Sequence, residues 1–148
     1  MATISEYYHF SKDHALLLKY HQKIRTMVDY LLGLRQAAKE LPPDDPAYGM
    51  LKGWCEADSC GRPDPHMYNL VYYSNSTEAV RAFHDLGGAW HSIGNKLGRQ
   101  DLIEQGKKLV QESADLKADL YTSIEKSILT REAPPPLPLY NTTPAPTA

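Results

Sequence analysis

The sequence predicts an all-α protein: three long helices arranged as antiparallel hairpins, one long inter-helix loop and a Pro-rich extended tail. Three observations carry this. Apolar residues recur at three- and four-residue steps through three separate stretches, the spacing that lines one face of a helix. Helix breakers fall between those stretches, Pro42-Pro43 after the first and Gly98 after the second. The 148 residues are 42% hydrophobic and 23% charged, ordinary values for a folded domain and enough chain for one core.

The first helix is expected from about Lys12 to Glu40. Ser11 or Asp13 can accept from its free N–H groups, and Leu17, Tyr20, Ile24, Met27, Leu31, Leu34 and Ala38 form its stripe. Pro42-Pro43 ends it, since proline removes a donor and forces the preceding residue toward extended geometry. The second helix is expected from about Ser76 to Lys96. Asn75 followed by Glu78 fits a capping box, and Val80, Phe83, Leu86 or Gly87, Trp90, Ile93 and Leu97 supply the stripe. A Gly87-Gly88 pair inside a helix is costly and implies a close neighbour or a bend, and Gly98 is a left-handed stop. The third helix runs from about Asp101 to Leu129 on Ile103, Leu109, Val110, Leu116, Leu120, Ile124 and Ile128. The short Gly98-Arg99-Gln100 link makes the last two helices an antiparallel hairpin. Residues 1–130 thus form one helical domain, and the Pro-rich tail 131–148 is extended or disordered.

Charge excludes some functions. A formal net charge of −2, a pI near 6.3 and no basic patch argue against nucleic acid and acidic membranes as partners. Apolar runs of a few residues are too short to span a bilayer, and the N-terminus lacks the pattern of a secretory signal, so localisation stays open. Cys55 and Cys60 are too few for a zinc site; they would close a small disulfide ring in an oxidising compartment and stay thiols in a reducing one. His14 and His21, like His84 and His91, stand seven apart rather than three or four, so no metal and no cofactor is expected.

The 35 residues from Leu41 to Asn75 are the richest in chemistry. Connections this long are uncommon in compact domains unless they do something, and loops on a helical frame often carry binding groups. Glu56 and Asp58 are the candidate catalytic pair, because sugar hydrolysis needs two carboxyl groups flanking the scissile bond. Residues two apart in one loop seldom face each other across a sugar, however, and exposed acids are the default. Tyr48, Trp54 and Tyr73 are candidates for stacking on sugar rings, their ordinary alternative being to pin the loop to the helices. His66, beside Asp64 in PDPH, is a candidate acid–base group set against a plain turn, and Asn75 reads as a helix cap. In the tail, Pro135 to Pro138 form PPLP, a pattern that docks through polyproline II geometry or simply links.

The order of elements resembles part of a six-hairpin (α/α) toroid glycosidase. YHQKIRTMVDYLLGLRQ leads into a proline turn, PAYGMLKGWCEAD follows, and YYSNSTEAVRAF opens the next helix. GRQDLIEQGKKLVQESADLKADLYTSI completes that hairpin, and REAPPPLPLY leads onward. The resemblance covers about Glu6 to Tyr140. It implies a carbohydrate-active module with Glu56 and Asp58 at the mouth of a sugar cleft, Asn75 as a sugar hydrogen-bonding group as well as a cap, and an oligosaccharide as partner. Three helices cannot close a six-hairpin ring, so the expectation is either an incomplete module, inactive alone, or a smaller bundle. The alternative function is a non-catalytic helical interaction module, self-associating through an exposed apolar helix face. Whether the protein is an enzyme is left open at this level.

Overall fold

The computed structural model describes residues 1–53 and 70–128. Among them the protein is all-α with no strand, and five helices replace the three expected. They are α1 (Ala2–Ser11), α2 (Ala15–Lys19), α3 (His21–Ala38), α4 (Tyr73–Leu97) and α5 (Gln100–Ser127). The expected tail 131–148, with its PPLP segment, lies outside the described residues.

Two corrections concern the N-terminal third. The expected first helix is divided at Tyr20 (φ −103°, ψ 10°), which separates α2 from α3. Neither Ser11 nor Asp13 is the N-cap of α2: His14 holds that place with no side-chain cap bond, although Asp13 Oδ1 accepts from the Ala15 N–H at 2.8 Å. Helix α1 was not expected at all. A ten-residue helix is marginal alone, so its stability comes from packing. Tyr8 is buried and its hydroxyl meets Ser92 Oγ of α4 at 3.0 Å, Ile4 packs against the core, and Glu6 pairs with Arg81. Lys12, at φ 56°, ends α1 in the left-handed region.

The α4–α5 hairpin forms as expected and packs along its whole length. Gly98 (φ 66°, ψ 26°) stops α4 in left-handed geometry. At the turn, Gly94 faces Ile103. Further along, Gly87 faces Gly106, each carbonyl lying where the other's Cβ would go, at 2.8 and 2.6 Å. Ser113 then donates to the Val80 carbonyl at 2.7 Å, and Tyr73 donates to Ser127 Oγ at 2.7 Å. The close neighbour implied by Gly87 is therefore the backbone of α5. The start of α4 is a third correction. The helix begins at Tyr73, with Tyr72 extended before it, so Asn75 lies inside the first turn and does not cap it.

Helix α3 lies over this hairpin at a greater backbone distance, held off by large side chains. Trp90, Phe83, Leu86, Ile93, Leu102 and Leu116 fill the centre, met by Leu17, Ile24 and Val28. Several expected stripe members are outside this core: Tyr20, Met27, Leu97, Val110 and Ile128 are exposed. Arg35 takes a core position instead, 1% exposed. Its guanidinium donates to the Gly49 carbonyl at 2.8 Å, meets Asp119 Oδ2 at 2.8 Å and pairs with Glu112. A buried cation needs such partners, because leaving it unpaired is very costly.

The connection after α3 is not structureless where it is described. Residues 41–53 form an ordered strap. Gly49 N–H bonds to the Ala38 carbonyl at 3.2 Å, Ser123 donates to the Pro46 carbonyl, and Lys126 donates to the Pro43 carbonyl at 2.7 Å. Ala47, Met50 and Leu51 are buried, and the Leu51 N–H donates to the buried Ser76 Oγ at 3.1 Å. An antiparallel bridge between Lys52 and Val71, with the Gly53 N–H on the Leu70 carbonyl at 3.2 Å, brings the two ends of residues 54–69 together.

Candidate functional site

Helix α3 carries more apolar surface than the core covers. Met27, Tyr30, Leu31 and Leu34 fall at i, i+3, i+4 and i+7, a helical stripe. Only its inner edge is shielded: Leu31 and Leu34 are half-buried, whereas Met27 is 52% and Tyr30 66% exposed. This stripe forms one wall of a groove of about 530 Å³ between α3 and the start of α4. The floor is shallow because α4 presents small residues there, Ala79 and Ala82, beside Leu51. Met1, Ala2 and Thr3 close one end, and Lys52, Asn75 and Glu78 supply polar groups. The result is a largely apolar trough whose polar side chains include the Lys52 ammonium, the Glu78 carboxylate and the Asn75 amide.

The candidate residues distribute unevenly around this trough. Asn75 lines it, with its amide nitrogen 3.2 Å from where a Gly53 Cβ would stand. Tyr73 is two positions earlier on the same helix, about 200° away, and faces α5. There its hydroxyl bonds to Ser127 Oγ and to the Ser123 carbonyl, at 2.7 and 3.2 Å, so it packs and ties the helix ends. Tyr48 sits half-buried on the strap, with Lys39 Nζ 5.9 Å from its ring centroid, and Lys39 in turn meets Asp119. Tyr48 and Tyr73 therefore do not join Asn75 on one surface. Trp54, Glu56, Asp58 and His66, with Cys55 and Cys60, lie outside the described residues. The paired ends of that segment, at Gly53 and Leu70, are at the edge of the trough.

A smaller cleft of about 230 Å³ runs along the other flank of α3, toward α5. His21 stands edge-on to Trp90, 5.0 Å between centroids, and its Nε2 is 3.0 Å from Gln105 Oε1. Arg25, Asp29 and Lys108 ring it, and Glu112 is already engaged by Arg35. A third depression of about 490 Å³ separates α1 from α4, where His84 Nδ1 meets Asp85 at 3.1 Å. Among the described residues, no three His, Cys, Asp or Glu side chains are placed to share a metal ion. No described helix is long and apolar enough to cross a membrane.

Two features were missed at the level of sequence. Arg35 keeps step with Leu31 and Ala38 at i+4 and i+7, so a charge within the apolar register was there to be read. So was its acidic pair, Glu112 and Asp119, seven apart and flanking Leu116. The trough itself had one signal, the apolar sector of α3, which with Met27 and Tyr30 is wider than one packing partner needs.

Comparison of the chain with protein-family models, with curated proteins and with solved structures gave no match.

Proposed function

We propose that this chain is a non-catalytic helical interaction module that takes an apolar polypeptide segment in the trough between α3 and the start of α4. The observation that carries the reading is the second apolar stripe of α3. Met27 and Tyr30 expose large apolar side chains beside a floor of small residues, while Ile24, Val28 and Arg35 of the same helix are buried in the core. Apolar surface arranged as a concavity with a polar edge is the usual form of a docking surface. Tyrosine suits it, since a rigid ring with a hydroxyl supplies contact area at low entropic cost.

The test is selection of peptides from a random display library on the wild-type protein, with binding re-measured on Tyr30→Asp. Apolar-anchored sequences that lose at least roughly tenfold in affinity, about 1.4 kcal/mol, would support the module. Sequences indifferent to Tyr30, or none from a folded protein, would refute it. Tyr30 is exposed, so the variant should keep the wild-type melting temperature.

The second reading is a carbohydrate-active module using the same trough. It is favoured by the pairing of Gly53 with Leu70, which starts and ends the segment bearing Trp54, Glu56, Asp58 and His66 at the trough's edge. Saturable binding in an oligosaccharide panel, lost in Trp54→Ala, would support it. Flat responses from folded protein would remove it.

A further inference from the structure

We propose that the trough's own resident is the Pro-rich segment 131–140 of this chain, docked as an extended polyproline-type ligand that an outside partner must displace. The inference rests on the trough being a binding surface. Three observations support this occupant.

The first is where the chain is delivered. Helix α5 ends at Ser127, whose Oγ is 2.7 Å from the hydroxyl of Tyr73, the first residue of α4. The next two residues of α4, Ser74 and Asn75, line the trough. The tail therefore starts across one helix from the site it would fill.

The second is length. Passing around the end of α4 takes about 10 Å, one helix diameter. Extended chain of this kind covers about 3.1 Å per residue, so Leu129 to Glu132 suffice for the passage. The wall from Met27 to Leu34 spans seven helical steps, about 10 Å. That accommodates roughly the next four residues, which places Ala133 to Pro136 against Tyr30 and Leu137 directly after them.

The third is chemistry. Polyproline II has no internal hydrogen bonds, is already extended before docking, and binds grooves that offer aromatic faces and donors to its carbonyls. Tyr30 provides the face, and the Asn75 amide and the Lys52 ammonium provide donors. Residues 133–140 carry no charge, matching a trough whose Lys52 and Glu78 are of opposite sign. Attachment in the same chain gives an effective concentration on the order of millimolar, so even a weak contact is occupied.

The experiment uses the full chain with ¹³C-methyl methionine. There are four methionines, and the Met27 signal is assigned by its loss in Met27→Leu. The wild type is compared with a tail variant carrying Pro135→Ala, Leu137→Asp and Pro138→Ala. The expected result is a shift of the Met27 signal in the tail variant, reversed by adding a synthetic REAPPPLPLY peptide and not reversed when Tyr30→Asp is also present. An unchanged Met27 signal in the tail variant, with no response to the peptide, overturns the inference. Display-selected peptides then separate the two claims. Binding to the tail variant tighter than to wild type, by roughly threefold or more, supports a competing tail. Equal binding to both leaves the interaction module standing and removes the tail as occupant. Response to neither the selected peptides nor the tail peptide removes both.

Discussion

The two sides of α4 show opposite ways of meeting a neighbour. Toward α5 the backbones touch: Gly87 and Gly106 leave no space for a Cβ between them. Toward α3 the helices stand apart, and the gap is filled by Trp90, Val28, Arg35 and the residues around them. Close approach gives a seam without room for anything else. Separation on large side chains leaves the flanks of α3 open, and both clefts beside α3 lie there. Binding surface on this protein is thus a consequence of spacing, and spacing follows from side-chain size at the contact.

The largest expected effect comes from breaking the close seam. Gly106→Ala sets a Cβ 2.6 Å from the Gly87 carbonyl oxygen and from the His91 nitrogen, both backbone atoms that cannot rotate away. The helices must separate, and a loss of about 3 kcal/mol is expected, the upper end for overpacking. Thermal unfolding should show a midpoint lower by on the order of 10 °C. An unchanged midpoint would mean that the seam is looser than its geometry.

Next is the spaced side. Arg35→Met removes the buried cation but keeps much of its volume. Glu112 and Asp119 are partly exposed and regain water, so the cost falls below that of a fully buried pair, to about 2 kcal/mol. The Gly49 carbonyl also loses its 2.8 Å donor. Chemical denaturation should find the midpoint lowered with the slope unchanged. Equal stability in the variant would make this network a specificity device rather than a source of stability.

A third substitution sharpens the comparison by reversing sign. Gly88 neighbours Gly87 in sequence, yet nothing stands within 4 Å of its would-be Cβ. Gly88→Ala should therefore stabilise α4 by about 0.8 kcal/mol, the helix-propensity difference alone. The same chemical change at Gly106 and Gly88 thus separates close contact from open surface. Destabilisation at Gly88, read by denaturant unfolding, would contradict the open flank facing α1.

The smallest effect is at the hairpin turn. Arg99 donates two hydrogen bonds to Asp101, at 2.7 and 2.6 Å, and these hold the carboxyl down at about 2. A depressed acid contributes to stability above its unfolded value, near 4, and that contribution fades as pH falls through about 2. The pair lies on the surface in solvent, so Asp101→Asn should leave the thermal midpoint at pH 7 unchanged within error. Titration of Asp101 by NMR in Arg99→Ala should return its midpoint to the ordinary carboxylate range. A midpoint still near 2 would assign the shift to another cause.

Sequence reading reached furthest where the cause is local. The end of α4 and the course of α5 follow from periodic apolar spacing and from Gly98, whose left-handed geometry needs no distant partner. It failed at α1, which has a weak apolar pattern and is held by Tyr8 against Ser92. It failed at Tyr20, where no proline or glycine marks the division of α2 from α3. At the start of α4, Tyr72 and Tyr73 looked like loop, yet Tyr73 is helical and tied to Ser127. Of the candidate site, Asn75 reaches the trough and Tyr48 and Tyr73 do not, a division set by the 100° step of the helix and by the path of the strap.

By itself, then, the sequence determined that this protein is helical, where α4 turns into α5, and that the Gly87-Gly88 pair called for a close neighbour or a bend. Those are properties of short stretches, in which spacing and backbone freedom act within a few residues. Only the tertiary structure decided that Arg35 would be buried between Glu112 and Asp119, that Tyr30 would stay in solvent while Ile24 did not, and that a trough would open beside α3. These depend on how far apart the helices rest, a distance set jointly by side chains remote from one another in the chain.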